Sequence, residues 1–119
     1  PEAIGPYSQA VVHNGIVYCS GQIGLDPESM EFVGEDVESQ ARQVMKNLQA
    51  VLNEAGASFN NVLKCSIFLA DMNDFATVND IYSTYFSEDP PARETVAVKT
   101  LPKNCRVEIS CIAYVNTGS

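Results

Sequence analysis

Basic residues are scarce in this chain, histidine occurs once, and no two cysteines stand at C-x-x-C spacing. Seven lysines and arginines against fifteen aspartates and glutamates leave a net charge of −8, which repels phosphate backbones and anionic membrane surfaces. Lys99, Lys103 and Arg106 come nearest to a cluster, but three charges around a turn read as a solvated rim, so no nucleic-acid partner is expected. With His13 alone beside a turn and Cys19, Cys65, Cys105 and Cys111 scattered, a tetrahedral zinc site lacks its ligands and no metal is expected. No apolar stretch approaches the roughly 18 residues that span a bilayer, and there is no secretory h-region. The chain reads as soluble. Its cysteines read as small buried hydrophobes, which suits the reducing cytoplasm. It begins at Pro1 rather than Met, so an organellar signal upstream stays open.

What is present fits one domain over residues 1–119, with 45% apolar residues and a core small enough to gain from oligomerisation. Residues 8–13 read as a strand, Asn14-Gly15 as a two-residue hairpin turn, and residues 16–20 as the returning strand. Glycines and Pro27 mark a loop to Glu35-Asp36, where acidic residues favour a helix start. Val37, Ala41, Val44, Leu48, Val51, Leu52 and Ala55 then recur at spacings of three and four, with Gly56 placed to end the helix.

Residues 62–70 are nearly continuously apolar, which predicts a strand covered on both faces. Asn73 or Asp74 can cap a second helix with Phe75, Val78, Ile81, Tyr82, Tyr85 and Phe86 as its buried stripe, before Pro90-Pro91 stops it. Strands over 94–99 and 105–115 follow, the second alternating through Val107, Ile109, Cys111, Ala113 and Val115. The order ββαβαββ predicts an α+β fold: a mixed sheet with both helices on one face. The other face, carrying Val96, Ile112 and Tyr114, needs a partner copy, and clefts between copies are natural ligand sites.

The chemistry centres on Arg93 and Glu108. Leu101-Pro102-Lys103-Asn104 is expected to fold the last two strands onto each other, so that the pair can meet. A guanidinium grips a carboxylate through two parallel hydrogen bonds. A carboxylate beside it can orient water and accept its proton. Burial would raise the Glu108 pKa and Arg93 would lower it. The alternative for the same residues is a structural ion pair between adjacent strands.

Gly5-Pro6-Tyr7-Ser8-Gln9-Ala10, Ser20-Gly21-Gln22-Ile23, Gln40-Ala41-Arg42-Gln43, Asn73-Asp74-Phe75-Ala76-Thr77-Val78-Asn79, Pro91-Ala92-Arg93, and Leu101-Pro102 with Val107-Glu108-Ile109 together resemble the RidA family (YjgF/YER057c/UK114). The resemblance spans nearly the whole chain. It implies a chorismate-mutase-like (YjgF-like) homotrimer whose sheets form a central barrel, with active sites between subunits. It also implies a 2-iminobutanoate/2-iminopropanoate deaminase-type hydrolase that needs no cofactor and converts 2-aminoacrylate and related enamine or imine acids to 2-keto acids and ammonia. By matching motifs, Arg93 would clamp the substrate carboxylate and Glu108 would activate water. Tyr7, Ser20, Gly21 and Asn79 would line the cleft, some of them from a neighbouring subunit. Glu94 and Thr95 depart from the family pattern, which often has a small residue and then cysteine after the arginine. Strand alternation points Glu94 away from the cleft, and Thr95 can still donate to a carboxylate. Two other readings remain open: a non-catalytic small-carboxylate sensor using the same clefts, and a ribonuclease or translation inhibitor, which the acidic balance opposes.

Overall fold

The computed structural model describes residues 1–3, 5–86 and 88–115. Ala10–His13 (β1) and Ile16–Gln22 (β2) form the expected hairpin, the first strand starting two residues late. Asn14 and Gly15, at φ 52° and 78°, supply the left-handed pair that matches the right-handed twist of the strands.

Val37–Glu54 (α1) begins where Asp36 Oδ2 accepts from the Ser39 N–H at 2.9 Å, and it ends before Gly56 at φ 88°. Val37, Ala41, Val44, Leu48 and Leu52 are buried, as their spacing predicts. Two polar residues are buried with them, and both are satisfied. Asn47 Nδ2 donates to the carbonyls of Ile23 (2.9 Å) and Leu25 (3.0 Å), and Gln40 bridges Gly34 O (3.0 Å) and the Arg106 N–H (2.8 Å). These bonds pin the loop from β2 against the helix. At Gly24 the approach is so close that a Cβ would lie 2.8 Å from the Gln40 Cα, so only glycine fits without moving backbone.

Val62–Leu69 (β3) leads through a 3₁₀ turn, Met72–Asp74, into Phe75–Ser83 (α2). The expected cap at Asn73 or Asp74 is not made. Asp71 accepts from the Asn73 N–H at 2.9 Å, while the Asp74 carboxylate is held by Arg106 at 2.8 Å. Tyr85 and Phe86, expected on the helical stripe, lie beyond the helix and pack against Phe59, the first tilted and the second edge-on, with ring centroids 5.1 and 5.3 Å away.

Ala92–Ala97 (β4) and Val107–Tyr114 (β5) complete a five-stranded sheet in the order β1-β2-β5-β3-β4. The expectation that the turn at 101–104 pairs the last two strands is overturned. β4 is the parallel partner of β3 across the α2 crossover, at the sheet edge. β5 sits antiparallel between β2 and β3, where its buried Val107, Ile109, Cys111 and Ala113 face the helices. The strand with the most complete apolar face thus takes the central position of the five.

β3 is covered on one face rather than both. Cys65, Ile67 and Leu69 are buried under the helices, while Leu63 is 46% exposed and Lys64 pairs with Glu94 at 3.1 Å across the open face. No helix among the described residues is long and apolar enough to cross a membrane. Leu48 is fully buried between α1 and the sheet. Leu48→Ala should therefore lower the unfolding free energy by about 2–5 kcal/mol in urea titrations, and a loss under about 1 kcal/mol would place it outside the core.

Candidate active site

Glu108 projects from β5 on the face away from the helices, since its neighbours Val107 and Ile109 point into the core. It lines a cavity of about 390 Å³ together with Tyr7, Gln9, Ser20, Gly21 and Gln22. The β2–β5 register slips between Cys19↔Cys111 and Gln22↔Ile109: β2 advances three residues while β5 advances two. The resulting bulge at Ser20-Gly21 brings that backbone against Glu108.

The wall opposite is stitched to β2. Ser20 Oγ donates to Ser8 O at 2.6 Å, Gln22 Nε2 to Gln9 Oε1 at 2.7 Å, and Gln9 Nε2 to Pro1 O at 2.6 Å. Ser20 thus spends its proton on the segment carrying Tyr7, which is 47% exposed. Gln9 and Gln22 escaped the sequence reading. Their signal was a pair of amides inside two motifs otherwise explained by turns and core.

Arg93, Asn79 and Thr95 assemble elsewhere. Asn79 Oδ1 on α2 accepts from Arg93 Nη1 at 2.6 Å, and the guanidinium lies over the rings of Tyr82 (5.1 Å) and Phe75 (5.6 Å), a favourable cation–π arrangement. Thr95 lies on the same face of β4, its Oγ1 enclosed and without a partner among the described residues. Glu94 points the other way, towards Ser66 and Lys64 at 3.2 and 3.1 Å.

Arg93 and Glu108 therefore do not meet within one chain. β3 separates their strands, about two inter-strand spacings or roughly 10 Å of backbone, and their side chains leave opposite faces. A structural ion pair between adjacent strands is overturned by the same geometry. The competition over the Glu108 pKa also resolves within the protomer: burial alone pushes it up, and no hydrogen bond or ion pair among the described residues reaches the carboxylate. Nor is any group of three or more His, Cys, Asp or Glu among the described residues placed to hold a metal ion.

The family model described as Endoribonuclease L-PSP matches residues 1–115. The mouse (Mus musculus) protein named 2-iminobutanoate/2-iminopropanoate deaminase is 54% identical over 113 residues, which span 95% of this chain and 84% of that protein. The crystal structure of RidA from the Antarctic bacterium Psychrobacter sp. PAMC 21119 superposes with a TM-score of 0.93 at 46% identity, covering 97% of this chain and 93% of that one. E. coli TdcF with bound serine gives a TM-score of 0.91 at 40% identity, covering 96% and 91%.

The Tyr82 ring supports Arg93, whereas its buried hydroxyl lies beside the Cys65 thiol without a well-formed hydrogen bond among the described residues, and burial first, then that thiol, push its pKa above the ordinary phenol range. Tyr82→Phe should leave stability within about 1 kcal/mol of wild type or raise it, whereas Tyr82→Ala should cost about 3–5 kcal/mol. Equal large losses in denaturant titrations would show that the hydroxyl, not the ring, matters.

Proposed function

The chain belongs to the Endoribonuclease L-PSP (YjgF/RidA) family, and we propose that it is a hydrolytic deaminase converting 2-aminoacrylate and related enamine or imine acids to 2-keto acids and ammonia. The observation that carries this reading is the state of Glu108: a half-buried carboxylate with a raised pKa, lining a cavity and bound to nothing among the described residues. Such a group is poised as a base rather than consumed as a structural anion. The printed names of the relatives support the substrate class.

The two sets of residues are halves of one site, completed between subunits. The open sheet face carries Val11, Tyr18, Val96 and Tyr114, each between 37% and 53% exposed, a surface that favours burial against further copies. In a cyclic homotrimer the contact is heterologous, so Arg93 with Asn79 and Thr95 from one subunit can face Glu108, Tyr7, Ser20 and Gly21 of the next. Arg93 grips the substrate carboxylate with the nitrogens that Asn79 leaves unused. Glu108 takes a proton from water as its oxygen bonds to the imine carbon and passes that proton to the nitrogen; the hydroxyl proton of the resulting carbinolamine then moves through Glu108 to the same nitrogen, so that the C–N bond breaks, the C=O bond forms and ammonia leaves. Fixing the carboxylate sets the distance from water to carbon, so positioning and one base supply the catalysis. The four free thiols fit a reducing compartment such as the cytoplasm.

Serine bound in TdcF also suits a non-catalytic carboxylate sensor, which would need Arg93 but not Glu108. RNA cleavage, named in the family description, is opposed by the net charge of −8.

Ammonia release from dehydratase-generated 2-aminoacrylate tests the reading. Arg93→Ala and Glu108→Gln should each lower the rate by about 10² or more, and turnover undiminished in either removes that residue from the mechanism. Mixed oligomers of the two inactive variants should regain about a quarter of wild-type activity, because random 1:1 assembly of a trimeric ring restores that share of sites. No recovery in verified mixed trimers would mean that Arg93 and Glu108 do not act across one interface.

A further inference from the structure

We propose that Gly21 is a positioning residue for this reaction, the absent side chain at the β2 bulge being the seat on which the Glu108 carboxylate rests. The inference builds on the deaminase reading. A Cβ placed at Gly21 would stand 2.5 Å from Glu108 Oε2, 2.7 Å from Cδ and 2.9 Å from Cγ, far inside the 3.5–4.0 Å optimum for packed atoms. Backbone freedom is not the reason for glycine here. The glycines at positive φ are Gly5, Gly15 and Gly56, so an alanine at position 21 meets no conformational penalty. The nearest obstacle is the end of one flexible side chain.

That geometry makes the role separable from folding. Gly21→Ala leaves β2 in place and pushes the carboxylate off the bulge into the cavity. A displacement near 1 Å at a general base costs about 10² in rate. The substrate carboxylate is held by the other half-site, so KM should stay within about threefold while kcat falls. The acid limb moves as well. Burial raises the Glu108 pKa; moving the carboxylate towards water lowers it, so the base stays ionised to lower pH and the acid limb of kcat/KM shifts down.

The experiment is a double-mutant cycle on the full-length oligomer, with pH–rate profiles and unfolding curves for wild type, Gly21→Ala, Glu108→Asp and the pair. The expected result is a kcat loss of about 10² for Gly21→Ala, an acid limb at lower pH, and less further loss than multiplication predicts when Glu108→Asp is added, since the shorter acid sheds the contacts made by Oε2 and Cδ and keeps only the one at Cγ. Wild-type kcat with an unmoved acid limb in Gly21→Ala, or two losses that simply multiply, overturns the proposal. If Gly21→Ala is destabilised, recovery of its unfolding midpoint by Glu108→Ala in the same chain reports the same contact, and no recovery overturns it. Inactive Glu108→Gln beside a normal Gly21→Ala sinks only the seat; normal Glu108→Gln removes Glu108 as the base and the seat with it, and wild type that releases no ammonia sinks the deaminase reading itself.

Discussion

Alternation along β5 is the constraint on which the rest depends. Val107, Ile109, Cys111 and Ala113 must lie under α1 and α2, and this forces Glu108, Ser110, Ile112 and Tyr114 onto the opposite face. Because β5 is central, the same alternation propagates through the pairings to β2 and β3, and through β3 to β4. A one-residue slip would exchange core and open face throughout. Seen this way, the carboxylate that faces the cavity and the thiol row of Cys19, Cys111 and Cys65 inside the core are two results of one register.

Each half-site has its own electrostatic logic. Arg93 is held by neutral groups, an amide oxygen and two aromatic faces, which fix the fork without neutralising it. Glu108 is partly desolvated with no compensating donor, so it carries a cost that a partner group can relieve. In the proposed assembly, two uncompensated opposite charges on separate surfaces are complementary halves of a contact, which would favour association in one orientation over others.

Local pattern carried the elements. The Asn14-Gly15 turn and the three-and-four spacing of α1 depend on residues close in sequence, and both stand as read. Strand order was not legible, because the apolar run at 62–70 and the alternation at 105–115 do not state which strand will be the neighbour. Proximity in sequence favoured β4 beside β5, whereas the α2 crossover sets β4 against β3. The second helix was misjudged at both ends for related reasons. Asp74 is engaged by Arg106, 32 residues away, and the aromatics past Ser83 find Phe59 instead of a helical stripe. At the site, residue types pointed to Arg93 and Glu108, but the bulge that joins Gly21 to Glu108 leaves no mark in composition or period.

The placement of Arg93 and Glu108 on opposite faces means that a solitary chain holds both side chains of the proposed chemistry and still cannot bring them together. Under the proposed inter-subunit site, catalytic competence would be a collective property: dilution below the assembly threshold would silence turnover, and specific activity would gauge how much of the protein is in company.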